Sequence, residues 1–158
     1  MSTYSIEDIS STSERFKLYV SVYSDNELST KIEHLKSLNI NVVNVGKELA
    51  TYIDGLDDYS YLTIEVYDYS KKLLDKHKSK INSVGNDVIA IYNLGILMEH
   101  ALELNAVKLF KEFSKTTSLI ILWDNQSDIP DRLEWTTQKN NFFLDFSESQ
   151  LKKLQYAI

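Results

Sequence analysis

The sequence predicts a three-layer α/β/α fold built on a mostly parallel sheet of about five strands. Three observations predict it. Segments rich in β-branched and aromatic residues alternate with segments whose apolar residues recur at helical spacing, the pattern of repeated βαβ units. Two strand segments, around "VIAI" at 88–91 and "SLIILW" at 118–123, are apolar almost throughout, as strands buried on both faces are. The 158 residues include one proline and four glycines. No linker composition therefore divides the chain, and a single domain over residues 1–158 is expected.

The elements follow in order. Residues 1–15 carry little apolar content and read as a flexible arm. "FKLYVSVY" (16–23) alternates and is rich in β-formers, so it reads as a strand. "SDNELSTKIEHLKSL" (24–38) puts Leu28, Ile32, Leu35 and Leu38 on one helical face, and Ser24 and Glu27 have the spacing of a capping box. "INVVNVG" (40–46) is a second strand and "KELATYI" (47–53) a short helix. "YLTIEVYDYSKKLLDKHKSK" (61–80) aligns Leu62, Val66, Tyr69, Leu73 and Leu74 in a helical stripe, although its first half also has strand composition. "DVIAIYN" (87–93) is a third strand, and "LGILMEHALELNAVKLFKEFSK" (94–115) is helical with a break near Asn105. "SLIILW" is the fourth strand. "DNQSDIPDRLEWTTQKN" (124–140) reads as a loop, "NFFLDF" (141–146) as the last strand and "SESQLKKLQYAI" (147–158) as a closing helix, where Ser147 and Gln150 repeat the capping-box spacing.

Composition narrows the class. Hydrophobic residues at 43% suffice for a packed core, and charged residues at 25% are ordinary for a globular protein. The net charge of −6 argues against direct nucleic-acid binding, whose affinity comes from clustered Lys and Arg. The basic run "KKLLDKHKSK" (71–80) is a local exception, and lysines there also offset the negative end of a helix. No apolar run reaches the length of a membrane span, and "MSTYSIEDIS" is too polar for a signal peptide. The absence of cysteine excludes disulfides and thiolate metal sites and fits a reducing cytoplasm. The expected localisation is cytoplasmic, with no membrane association.

In open parallel sheets ligands sit at the carboxyl ends of strands. The first strand runs into its helix through "YSDNEL", without the glycines, lysine and hydroxyl of a phosphate-binding loop. Asp25 and Glu27 occupy that helix start instead and would repel a phosphate. "VGKE" (45–48) offers Gly46 and Lys47, but Glu48 stands where a hydroxyl is needed. The third strand ends in Tyr92, not in the acid that would hold magnesium, with Gly95 where a second acid could lie. His34, His77 and His100 lack zinc-site spacing, and "DGLDDY" (54–59) does not match a calcium loop. No catalytic residue, cofactor site or metal site is assigned. Trp123, Asp124, Asn125 and Gln126 could line a crevice, or simply cap their own loop.

The stretch "DVIAIYNLGILMEHALELNAVKLFKEFSKTTSLIILWD", with Asn93, Leu97, Leu104, Leu109, Ser114 and Trp123 in order, resembles the second half of the small P-loop protein of BREX bacteriophage-defence systems. "INVVNVGKELATYI" is similar to the strand and helix that follow the P-loop helix in that family. The resemblance spans residues 16–125 and implies a P-loop-NTPase-like fold. The family's phosphate loop and its strand-end Asp have no counterparts here, the latter position falling at Tyr92. It therefore implies a pseudo-NTPase, a non-catalytic adaptor or scaffold in bacterial phage defence. The interaction candidates are Tyr52, Tyr59, Tyr61, Trp123, Asp124 and Trp135. Aromatics with polar neighbours suit interfaces, although half-buried core rings are the commoner arrangement. Protein partners are expected, a second copy of the chain among them. The alternatives are a weak nucleotide-binding regulatory domain at Lys47 or residues 123–126, and an acidic mimic of nucleic acid.

Overall fold

The computed structural model describes residues 3–6, 8–24, 26–81, 85–99, 104–124, 130–136 and 141–154. Its centre is a parallel sheet. Strands β2 (Leu18–Val22), β3 (Val42–Asn44), β5 (Asp87–Tyr92), β6 (Thr117–Trp123) and β9 (Lys152–Leu154) stand in the order β9-β2-β6-β5-β3. β1 (Thr3–Tyr4) adds a parallel edge beside β9, and β4 (Ser79–Lys80) pairs antiparallel with β5. The expected α/β class and mostly parallel sheet are present.

Strand alternation sorts side chains onto two cores. On one face Leu18, Val20, Ile89, Ile91, Leu119 and Ile121 meet helices α2 (Val45–Asp54), α3 (Leu62–His77) and α4 (Ala106–Phe113). On the other, Tyr19, Val88, Ala90, Ile120 and Leu122 meet α1 (Leu28–Ser37) and the segment carrying Ile6 and Ile9. Both faces are covered, which is why β5 and β6 carry no polar alternation. Tyr52 and Tyr69 stack at 4.0 Å between ring centroids and join α2 to α3.

Helix boundaries follow local chemistry. Asn39, at φ 65°, ends α1, with Ile40 N–H donating to the Leu35 carbonyl at 3.1 Å. Asn105 caps α4 by accepting from Lys108 N–H at 3.0 Å, so α4 starts there; among the described residues before it, Gly95–Met98 form a short 3-10 turn. Glu27 stands at the cap of α1 rather than in its first turn. The capping-box expectation holds only in reverse. Ser24 donates both its N–H (2.7 Å) and its hydroxyl to the Glu27 carboxylate, and Ser24 accepts no helix N–H through its side chain. Asp25 lies outside the described residues.

Three expectations are corrected. The described part of residues 1–15 is no free arm: Ile6 and Ile9 are buried, and Asn86 N–H donates 2.7 Å to the Ser10 carbonyl. The 124–140 loop contains a strand, β7 (Arg132–Thr136), which forms an antiparallel hairpin with β8 (Asn141–Asp145) apart from the main sheet. The chain beyond it does not start a closing helix. Asp145 takes the Ser147 N–H at 2.9 Å, Gln150 adopts φ 61°, and Leu151 N–H binds the Asp131 carboxylate at 2.7 Å. These contacts turn the chain into β9, where Lys152 and Leu154 are buried. The last main-sheet strand is therefore β9, not 141–146.

Candidate functional site

The carboxyl ends of four neighbouring strands finish nearly level. Val22 stands opposite Trp123, Ile121 opposite Ile91, and Tyr92 opposite Asn44. β2 leaves this rim toward α1 on one face of the sheet, whereas β6 leaves it toward the hairpin on the other. Where successive connections diverge in this way, an open parallel sheet has a crevice. A crevice of about 260 Å³ lies there, lined by Tyr23, Leu28, Tyr92, Asn93, Leu94, Gly95, Leu122, Trp123 and Asp124.

Each wall has a local cause. Tyr23 continues β2, its N–H donating 2.9 Å to the Trp123 carbonyl. Asn93 turns the chain at φ 60°, a left-handed conformation that asparagine tolerates. Its Nδ2 donates 2.8 Å to Asn44 Oδ1, and that oxygen also accepts the Lys47 N–H at 3.0 Å, capping α2. Gly46 permits this arrangement, because a Cβ there would lie 2.5 Å from Asn93 Nδ2 and 2.8 Å from the Asn93 carbonyl oxygen. The glycine of "VGKE" thus serves a close approach of two chain segments, while Lys47 is exposed.

Burial raises the Tyr23 pKa above its ordinary value, with the Asp124 carboxylate and Tyr92 adding to the shift. Tyr23 therefore remains a phenol at neutral pH, able to donate or accept a hydrogen bond, and is not a base. Asp124 is exposed and makes none of the ion pairs found among the described residues. Phenol donors, an amide and one carboxylate suit recognition of a polar group.

The interaction candidates separate into two places. Trp123 and Asp124 meet in the crevice, but Trp123 is 5% exposed and its Nε1 donates 3.0 Å to the Glu134 carbonyl. It ties the hairpin to the sheet. Tyr52, Tyr59 and Tyr61 lie at the α2–α3 junction. Tyr52 is half-buried in its stack with Tyr69, whereas Tyr59 and Tyr61 are exposed. Trp135 is placed by its backbone alone, opposite Phe142 in the hairpin. Asn125, Gln126 and His100 lie outside the described residues. The strand-end rule pointed to Tyr23, Tyr92, Asn93, Trp123 and Asp124, but not to Leu28, Leu94 or the pairing of Asn93 with Asn44. The signal for that pair was present, since both asparagines end apolar strands.

No group of metal-ligating side chains occurs among the described residues, and no helix there is long and apolar enough to cross a membrane. No family model matches the chain, and no curated protein or solved structure matches it.

Proposed function

We propose that the protein is a non-catalytic adaptor that acts by binding a protein partner. The resemblance to the small P-loop protein of BREX systems implies bacterial phage defence as its setting. One observation carries the adaptor reading. Tyr59, Tyr61 and Ile64 are exposed at 56%, 66% and 63%, and they fall within six residues of one another at the start of α3. Apolar side chains gathered at one place on a surface mark contact sites, where scattered ones do not. Aromatic residues of this kind dominate the energy of protein interfaces. The pseudo-NTPase part of the reading is supported by Glu27, whose carboxylate stands at the α1 start where a phosphate loop would place a lysine.

Tyr61→Ala tests the adaptor reading. It should weaken the native complex, or self-association, by about 2 kcal/mol or more. Its melting transition should stay within about 0.5 kcal/mol of the parent, as for other exposed positions. Sedimentation velocity and affinity capture from the native host, run on parent and variant, measure the first effect. Unchanged association would defeat the reading. Calorimetry with ATP·Mg tests the other part, and micromolar binding would overturn it.

A further inference from the structure

We propose that the crevice at the carboxyl ends of β2, β5 and β6 receives an alkylammonium group, with Asp124 as its counter-charge and Tyr23, Tyr92 and Trp123 among its lining residues. The proposal is independent of the Tyr61 surface and concerns a different part of the molecule.

The position comes from topology, since connections diverge between β2 and β6 and an open sheet binds ligands at such a point. The charge preference comes from the lining. Among the described lining residues there is neither lysine nor arginine, and Asp124 is the one carboxylate. Asp124 has no salt-bridge partner among the described residues, so its charge is available to a ligand. Three aromatic residues line the same space, of which Tyr23 and Tyr92 are the half-buried ones, and aromatic rings attract cations through their negative faces. Phenol and amide oxygens can accept the ammonium N–H groups that the carboxylate leaves over.

An anion fares worse. It would meet Asp124 with no lysine or arginine among the described lining residues to offset it. The positive end of α1, which begins at Leu28 on the crevice wall, is already faced by the Glu27 carboxylate. Size agrees with charge. Pockets for drug-sized ligands run to about 300–1,000 Å³, and this crevice, at about 260 Å³, suits a side chain or a small amine better than a nucleotide. The same alkylammonium chemistry is offered by the lysine side chain of a protein and by a free amine.

The test is an NMR titration of the whole chain, read at the Trp123 indole N–H and the Asn93 and Gly95 amides. The probes are n-butylammonium chloride, n-butanol as its neutral counterpart, inorganic phosphate, and a lysine-containing peptide. Butylammonium should give saturable shifts at these three sites, and butanol and phosphate should not. Asp124→Asn should weaken butylammonium about threefold to fivefold while keeping the melting point, because Asp124 is exposed. Tighter binding of the peptide than of butylammonium would identify a protein lysine as the occupant, and equal binding a free amine; either supports the site. Saturation by butanol or phosphate at the same amides, equal affinity in Asp124→Asn, or no shift with any ammonium probe would overturn it.

Discussion

Trp123 and Asp124 are adjacent in the chain and opposite in role. Trp123 fills the core beneath the crevice and holds β7 through one indole hydrogen bond. Trp123→Ala should therefore cost about 3–5 kcal/mol of stability, read from the denaturant midpoint. Asp124 acts through its field. Burial, Asp124 and Tyr92 raise the Tyr23 pKa. A raised phenol contributes stability that is full below its unfolded pKa and lost as pH rises through the folded one. The parent should accordingly lose stability as its tyrosines ionise in alkali. Asp124→Asn removes one of the three causes, so it should lower the pH at which Tyr23 forms phenolate and lessen that loss. Spectroscopic pH titration of phenolate absorbance, parent against variant, measures the shift. An unchanged difference spectrum would mean that Asp124 does not reach the phenol.

Among elements, the α2 start is the most demanding. Asn44 caps α2 and holds Asn93, and Gly46 lets the two segments touch. Gly→Ala inside an ordinary helix stabilises by roughly 0.5–1 kcal/mol. Here the added methyl meets backbone oxygen, so Gly46→Ala should instead destabilise by about 1–3 kcal/mol in thermal or chemical unfolding. Asn44→Ala should cost about 1–2 kcal/mol through the lost cap. A stabilised Gly46→Ala would contradict the packing. Periodicity made β2, β3, β5, β6 and most of α1, α2 and α3 legible, because a strong apolar period reports the face an element buries. It failed after residue 130 for physical reasons. Leu151 and Leu154 are three apart and imitate a helical stripe, while Lys152, the inward residue between them, is charged. Its stem is buried and its ammonium donates 2.7 Å to the Phe16 carbonyl, so strand alternation is hidden behind a polar letter. The turn at Gln150 depends on the Leu151 N–H meeting the carboxylate of Asp131, twenty residues before Leu151, which no local window contains. The crevice was half legible. Strand ends can be found in a sequence, but the Asn44–Asn93 contact spans 49 positions and exists only once β3 and β5 pair.

For the whole molecule, the sheet order matters more than any one strand. β9 lies between β1 and β2, not at the margin. Had the chain ended in a helix laid on the surface, trimming residues 147–158 would be mild. With β9 inside the sheet, the truncation should remove the partner of β1, bare the edge of β2 and abolish a cooperative melt by circular dichroism. A truncated chain that still melts cooperatively near the parent temperature would refute this order. The placement also sets a schedule for synthesis. β1 (Thr3–Tyr4) and β2 (Leu18–Val22) are made well before β9 (Lys152–Leu154), the neighbour they share. At about 5–20 residues per second, that interval is on the order of ten seconds. Throughout it, one margin of β2 offers free backbone N–H and C=O groups to any passing strand. Nascent chains stalled before residue 150 should therefore be far more sensitive to protease near their amino terminus than chains stalled with β9 fully outside the exit tunnel. A strand translated long after β2 is the one that closes its free margin.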